Sequence, residues 1–479
     1  MNRVTRPGQV VVAGGGIAGL TAAYRLSQSG VDVTLVEPDR LGGKLQTSMV
    51  AGRPVDETAD AFLLRVPWAV ALCHDLEIDG ELVSPVARTA EVFVDGRRRP
   101  LPDGQVLGVP TDLDALAGSG VVSPEAVARV AAELDLPADP DDPGVSGADV
   151  AIGPYLRRRL GDEVVDHLID PLVGGINAGD TASLSLATVV AQLDAAARSG
   201  DPSIVRSCAT QRRRALAAAS SVDTPIFATP VGGMARLVDA LLALMPGVEV
   251  RADRKVAAVE PRQRGALVSL DDGSVLDTEA VVLAVPAFVA GPLLADISTP
   301  ASAALAAIEH ASISMVTLAI ERGAFVDHPG PDVSGCLVPR DQGLLVTAVS
   351  QATAKWAQLR DPERDDVLVR ASAGRHRDDR QLELDDRALT ESVLHDLDRL
   401  YGLRSDPTEV RVGRWPRSFP QYTPGHLDRI AEVEAALAHT PVVLAGAALR
   451  GVGVPACIRS GDEAAAALGA TWPTRRSLA

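Results

Sequence analysis

The sequence predicts an α/β chain: a Rossmann-like nucleotide-binding domain built from discontinuous segments, with α+β segments inserted between them as a substrate domain and a helical domain. Three observations carry this. They are a glycine fingerprint between two strands at the start, a strand-rich return after residue 229, and a strand–turn–helix near the end. The first is the most specific. Residues 10–19, Val-Val-Val-Ala-Gly-Gly-Gly-Ile-Ala-Gly, form an apolar β-branched run ending in Gly14-x-Gly16-x-x-Gly19, and the helix pattern Leu20-Thr-Ala-Ala-Tyr-Arg-Leu follows at once. A second strand, Val31-Asp-Val-Thr-Leu-Val36, ends at Glu37. In this setting Gly14, Gly15 and Gly16 allow a tight turn and close approach of a pyrophosphate. Ile17, Ala18 and Gly19 open the helix whose N-terminus faces its charge. Glu37, followed by Pro38, accepts hydrogen bonds from ribose hydroxyls.

The later segments follow in order. Thr229-Pro-Val-Gly-Gly-Met leads into an amphipathic helix, and Val248-Glu-Val-Arg, Lys255-Val-Ala-Ala-Val and Ala266-Leu-Val-Ser-Leu-Asp-Asp-Gly-Ser read as strands with an Asp-Gly hairpin. Ala280-Val-Val-Leu-Ala-Val-Pro286 and Pro441-Val-Val-Leu-Ala-Gly446 are further strands, the second followed by a glycine-rich turn and a helix starting near Pro455. Between them, residues 111–200 are helical in pattern, with cap signals at Ser123 and Ser146. Residues 199–222, with Arg212-Arg-Arg214, read as a polar linker, and residues 361–387 as a charged, solvated helix and loop. The expected nucleotide domain comprises 8–66, 223–290 and 413–470, the substrate domain 67–110 and 291–412, and the helical domain with its linker 111–222.

Composition sets limits. The chain has 479 residues, enough for two or three domains, and 46% hydrophobic residues without a run long enough to span a membrane. The first strand begins within about ten residues, which leaves no room for a signal peptide. The net charge of −17 argues against nucleic acid and anionic membrane surfaces as partners. Cys73, Cys208, Cys336 and Cys457 lack C-x-x-C spacing and the eight histidines lack paired spacing, so neither a disulfide framework nor a metal site is expected, and the cytoplasm is the expected compartment.

The stretch after Glu37, Arg40-Leu-Gly42-Gly43-Lys44 with Thr47 following, resembles the second flavin motif of the amine oxidase and protoporphyrinogen oxidase superfamily. That resemblance implies tightly held FAD rather than a diffusing nicotinamide. The late turn Gly451-Val452-Gly453-Val454-Pro455 then gains a role. Proline suits the first helical turn, so the helix N-terminus would face the flavin and stabilise negative charge on its reduced form. Nothing marks nearby Cys457 as a reactive thiolate, so a covalent flavin link is disfavoured. The sequence shows no second nucleotide fingerprint, so electrons are expected to enter from an organic substrate and leave to oxygen.

Longer blocks narrow the resemblance. Asp56-Glu-Thr-Ala-Asp60-Ala-Phe-Leu-Leu-Arg65, Leu101-Pro-Asp-Gly-Gln-Val-Leu-Gly-Val-Pro-Thr-Asp, Pro171-Leu-Val-Gly-Gly-Ile-Asn-Ala-Gly-Asp, Thr229-Pro-Val-Gly-Gly-Met and Arg414-Trp-Pro-Arg-Ser-Phe-Pro-Gln-Tyr-Thr-Pro-Gly-His resemble, in order, the protoporphyrinogen/coproporphyrinogen oxidase family over residues 8–470. Within it the chain looks like the soluble bacterial branch, which implies oxidation of coproporphyrinogen III to coproporphyrin III in heme biosynthesis. The resemblance also implies oxygen as acceptor, hydrogen peroxide as product, and a transient hand-over to the next pathway enzyme. It places Thr58, Ala59, Asp60 and Ala61 beside the flavin, where the family often has Gly-Pro-Asp-Ser. It puts Val256 at the adenine, Trp415 by the flavin, Val452, Gly453 and Val454 in a C-terminal clamp, and Ile176 and Asn177 in the substrate cavity, where many relatives have an aromatic at the position of Asn177.

Such a reaction needs a large apolar cavity and a flavin, but no nucleophile or metal, and no residue stands out as proton acceptor. Four propionates are an awkward cargo for a protein of net charge −17, so local cations must offset the field. Arg88 and Arg97-Arg98-Arg99, the latter on an Asp95-Gly96 hairpin, are the candidates. Protoporphyrinogen IX is the alternative substrate. An amine oxidase would show an aromatic cage, against 3% aromatic residues here, and a carotenoid desaturase would show a membrane-dipping surface. A flavin-binding protein without turnover is the reading from a different class.

Overall fold

The computed structural model describes residues 9–87, 89–218 and 225–469. Its centre is a five-stranded parallel sheet in the order Glu249–Ala252, Asp32–Glu37, Gln9–Ala13, Ala280–Leu283, Val442–Leu444. Three separate stretches of chain therefore build one sheet. Gln9–Ala13 is buried throughout, because helices cover both faces and a strand so placed reads as an unbroken apolar run. Val10, Val12 and Leu35 pack under the helices Ile17–Gln28, Ala235–Ala243 and Val454–Gly469. Val11, Ala13 and Val36 pack on the opposite face with Ile430, Val433 and the meander Val256–Pro261, Ala266–Leu270, Val275–Thr278. The helix Pro67–Asp75 buries Ala69, Leu72 and Cys73 in the first of these cores, so its packing belongs with the nucleotide fold rather than with the substrate segment expected from residue 67.

A second, seven-stranded sheet runs in the order Glu409–Pro420, His310–Glu321, Asp366–Ala373, Val346–Gln351, Val333–Leu337, Thr89–Val94, Arg97–Pro100. The helix Asp386–Tyr401 covers one face through Leu389, Val393 and Leu397. Residue 413, expected to open the last nucleotide segment, lies inside the continuous strand Glu409–Pro420, which pairs with His310–Glu321. The solvated helix and loop expected over 361–387 is corrected too. Asp366–Ala373 is an interior strand of this sheet. Its charges are neutralised locally: Asp366 pairs with Arg53 at 2.8 Å and Arg364 at 2.7 Å, and Arg370 reaches Asp60 at 3.1 Å.

The third unit is helical and buries Leu116, Val130, Leu156, Leu168 and Leu193 in one core. Ser123 caps its helix by accepting from the Ala126 amide, whereas Ser146 closes the short helix Pro143–Ser146. The expected linker is instead the helix Ile204–Ala218, and residues 219–224 lie outside the described residues. Its start is held by buried Glu133, which accepts from Ser203 Oγ at 2.6 Å and the Ile204 amide at 2.8 Å, a carboxylate at a helix N-terminus. A π-helix, Val165–Gly174, with Pro171 inside it, delivers the chain to Gly175–Asn177. Such a widened turn often marks a functional segment. Among the described residues no helix is long and apolar enough to cross a membrane.

Candidate functional site

A cavity of about 1340 Å³ opens between the parallel sheet, the seven-stranded sheet and Gly174–Ala178. Its first wall is the fingerprint turn. Gly14 sits at φ +103°, and a Cβ there would stand 2.5 Å from the Ala284 carbonyl oxygen. At Gly19 a Cβ would stand 1.9 Å from the Gly14 carbonyl oxygen, so this glycine lets helix and turn touch. Gly16 differs: nothing lies within 4 Å of the position of its Cβ, and no side chain caps the helix it precedes. Ile17 and Ala18 line the cavity there, so the uncapped helix N-terminus faces open space, the arrangement that receives a phosphate. Gly15 donates its amide to Glu37 Oε2 at 2.6 Å and Asp39 to Oε1 at 2.9 Å, which locks the Glu37 carboxylate on the wall next to Pro38. Val256 lies on the same wall.

The middle of the cavity is formed by Gly42, Gly43 and Lys44 on one side and Thr58, Ala59, Asp60 and Ala61 on another. Gly42 and Gly43 take φ of +93° and +56°, and a Cβ on Gly43 would stand 3.2 Å from Gly16 Cα, so the two turns nest. Lys44 lines the cavity without an ion pair among the described residues, and burial lowers its pKa. The carboxyl of Asp60 is raised by burial, but Lys355 at 2.9 Å and Arg370 at 3.1 Å outweigh that and hold it at about 2. Thr58 Oγ1 donates to the Lys44 carbonyl.

Val452, Gly453 and Val454 close a third side, where the sixteen-residue helix Val454–Gly469 begins. The turn before it is anchored by Tyr422, whose hydroxyl donates to the Ala447 carbonyl and accepts from the Gly451 amide at 3.1 Å. Burial pushes the Cys457 thiol up to about 11, away from a thiolate. A nucleotide-binding turn, an uncapped helix start, a locked acid and a second helix N-terminus around one long cavity fit FAD. Among the described residues no group of three or more His, Cys, Asp or Glu could hold a metal ion.

At the far end stand Ile176, His310, Ile313, Trp415, Arg417 and Phe419. Trp415 lies opposite Ile313, beside a register shift between Ala311 and Ile313 in the pairing of the two strands. His310 meets Phe288 edge-on at 5.0 Å. Its Nδ1 lies 2.9 Å from the Ile308 carbonyl, which can only accept, so Nδ1 carries the proton and Nε2 is left with a lone pair. Burial, helped by Arg417 and Lys44, lowers this imidazole to about 4 and keeps it neutral. Arg417, left-handed at φ +48°, lays its guanidinium 3.5 Å from the Phe288 ring centroid.

The structure corrects part of the expected substrate contacts. Ile176 lines the cavity, 58% exposed, but Asn177 turns inward: its Nδ2 donates to the Val173 carbonyl at 2.9 Å, and its own carbonyl accepts from Gln421 at 3.2 Å. None of Arg97, Arg98 and Arg99 lines the cavity. Arg98 is committed to Glu91 at 2.8 Å, Asp327 at 2.6 Å and the Tyr401 ring at 4.7 Å, and Arg99 lies against the Gly120 turn. Arg88 lies outside the described residues. Among the described residues, the cations that line the cavity are Arg40, Lys44, Lys255, Lys355, Arg375 and Arg417. Arg375 and Arg417 were not singled out from sequence, although Arg417 sits within the Trp415–His426 block and a signal was available there.

A family model described as flavin containing amine oxidoreductase matches residues 17–469. The chain is 36% identical over 464 residues to a coproporphyrinogen III oxidase of Mycobacterium tuberculosis, covering 96% of each. It is 31% identical over 465 residues to a coproporphyrinogen III oxidase of Bacillus subtilis, covering 95% of this chain and 96% of that one. Among solved structures, a protein assigned provisionally as a protoporphyrinogen oxidase, from Exiguobacterium sp. 255-15, matches with a TM-score of 0.85 and 27% identity, covering 98% of this chain and 100% of that one.

Proposed function

The chain belongs to the flavin containing amine oxidoreductase family with FAD as its cofactor, and within that family we propose that it oxidises coproporphyrinogen III to coproporphyrin III in the cytoplasm. Oxygen is the terminal acceptor in this reading, and hydrogen peroxide the product. The observation that carries it is the continuity of the cavity. One space runs from the glycine turn past Lys44 and Val452–Val454 to an end lined by Ile176, Ile313, Trp415 and Phe419.

When bound, FAD supplies the two-electron acceptor for hydrogen leaving the saturated meso carbons of the macrocycle. The protein supplies placement and charge. Ile176, Ile313, Trp415 and Phe419 offer apolar surface to the ring and exclude water from the reacting carbon. The start of Val454–Gly469 and the ammonium of Lys44 favour negative charge in the middle of the cavity. Arg375 and Arg417 offer positive charge to acidic side arms at the far end. Conversion of the porphyrinogen removes three pairs of hydrogens, so three oxygen molecules are consumed per porphyrin formed.

The test is aerobic turnover of coproporphyrinogen III and protoporphyrinogen IX, prepared alike, followed by porphyrin fluorescence with parallel oxygen and peroxide measurements. A higher kcat/KM for coproporphyrinogen, with equal oxygen loss and peroxide gain, is expected. Better oxidation of protoporphyrinogen would overturn the substrate, and absence of peroxide the acceptor. No porphyrin with either substrate would leave the flavin-binding protein without turnover.

A further inference from the structure

We propose that Arg375 is the carboxylate receptor of the cavity's far end, where its guanidinium holds one acidic arm of the substrate. The inference rests on the reading of the substrate as a porphyrinogen bearing propionates, and it names the residue that reads them.

The chain delivers Arg375 by a forced turn. Gly374, directly after the strand Asp366–Ala373, takes φ +92°, and a Cβ there would stand 2.2 Å from the Gln381 side chain and 2.6 Å from the Ser312 carbonyl oxygen. The Arg375 amide then donates to the Asp378 carbonyl at 3.2 Å, and the His376 amide to the Ala178 carbonyl at 2.7 Å. This last bond ties the turn to the Gly174–Ala178 segment that carries Ile176 to the cavity wall.

Arg375 is 7% exposed, yet its guanidinium makes no hydrogen bond among the described residues, its buried Nε included. The nearest carboxylate, Asp378, lies 3.9 Å away and already binds Arg380 through both oxygens, at 2.7 and 2.8 Å. Asp170, the other acid of this corner, is used by Arg340 at 3.1 Å and by Thr181 through its amide at 3.0 Å and its hydroxyl at 2.7 Å. Three guanidiniums thus share two carboxylates, and the surplus positive charge falls on the one that lines the cavity. Burial, with Arg340 and Arg380 nearby, pushes Arg375 down to about 10, so its charge is held at a cost that an incoming anion would relieve. Buried guanidinium groups left without a hydrogen bond are rare, and a planar fork of donors matches a carboxylate through two parallel hydrogen bonds.

The test compares the flavin-loaded wild type with Arg375→Gln and Arg375→Lys in two titrations and one rate assay. Coproporphyrin III and its tetramethyl ester are titrated by fluorescence, and coproporphyrinogen III is used for steady-state kinetics. Arg375→Gln should raise the Kd for coproporphyrin and the KM for coproporphyrinogen roughly ten- to a hundredfold, with a much smaller change in kcat. Arg375→Lys should recover part of this loss. The ester, which has no carboxylate, should bind wild type and Arg375→Gln alike. Equal coproporphyrin affinity in all three proteins, or equal losses for acid and ester, would overturn the proposal while leaving the oxidase reading intact. If Arg375→Gln fails to load flavin, Arg375→Lys carries the same two titrations, and an unchanged acid-to-ester ratio there would count against the proposal. Failure of the wild type to bind or oxidise any porphyrin would instead defeat the reading on which it rests.

Discussion

Gly16→Asp and Gly19→Ala alter two glycines of one fingerprint, and the structure separates their consequences. Gly16 has φ −69° and ψ 173°, a conformation open to ordinary residues, and no atom lies within 4 Å of its Cβ position. The polypeptide therefore tolerates a side chain, and replacement of a glycine at such a position stabilises by about 0.4–1 kcal/mol for alanine. Cofactor binding responds in the opposite sense. A carboxylate ~4 Å from one unit of pyrophosphate charge costs roughly 4 kcal/mol at an effective dielectric constant of about 20, which lowers FAD affinity by about three orders of magnitude. At Gly19 the added Cβ meets the Gly14 carbonyl oxygen at 1.9 Å, so the helix Ile17–Gln28 must move from the turn. Overpacking of this kind costs ~1–3 kcal/mol, or more where backbone is struck. Each variant is purified without added FAD, its flavin-to-protein ratio is read from absorbance, and its stability is measured by denaturant unfolding before and after FAD addition. Gly16→Asp should unfold like flavin-free wild type and gain nothing from FAD. Gly19→Ala should unfold earlier, yet take up FAD in its folded fraction. Normal flavin content in Gly16→Asp would refute the assignment of this turn to the pyrophosphate.

Arg98→Ala should destabilise the fold by ~1–3 kcal/mol, because half-buried Glu91 and the Tyr401 ring lose their cation. Its preference between coproporphyrinogen and protoporphyrinogen should stay unchanged, as a denaturation curve and paired rate assays will show. His310 makes stability depend on pH: its folded pKa, about 4, lies below the usual 6.5, so the unfolded chain binds the extra proton between these values. Stability contributed above pH ~6.5 is therefore lost as pH falls towards ~4, by about 3 kcal/mol, and His310→Phe should flatten that slope in urea unfolding. NADPH should fail to reduce the flavin in stopped-flow absorbance under anaerobic conditions, whereas a porphyrinogen should bleach it; rapid bleaching by NADPH would contradict a chain with a single dinucleotide fingerprint.

The nucleotide fold was legible because its information is local. Strands covered on both faces, such as Gln9–Ala13 and Ala280–Leu283, must be apolar at every position, and a turn that touches backbone at Gly14 and Gly19 admits only glycine, so both signals survive in a single sequence. The strand Asp366–Ala373 was not legible, because its charges are paid off by Arg53 and Asp60 from another part of the chain, and a partnered charge looks the same in sequence as a solvated one. The start of Ile204–Ala218 likewise depends on Glu133, a distant residue buried beneath it. The cations show the limit most clearly. Arg97, Arg98 and Arg99 are adjacent in sequence, but side chains alternate across a strand, and Arg98 finds Glu91 and Asp327 away from the cavity. Arg375 and Arg417 are remote in sequence and line one cavity only because the strands Asp366–Ala373 and Glu409–Pro420 flank His310–Glu321 in one sheet. Which elements form is dictated by short-range apolar pattern and glycine sterics. Which charges face the substrate is decided by strand register and by the pairing of every other charge, and both exist only in the folded chain.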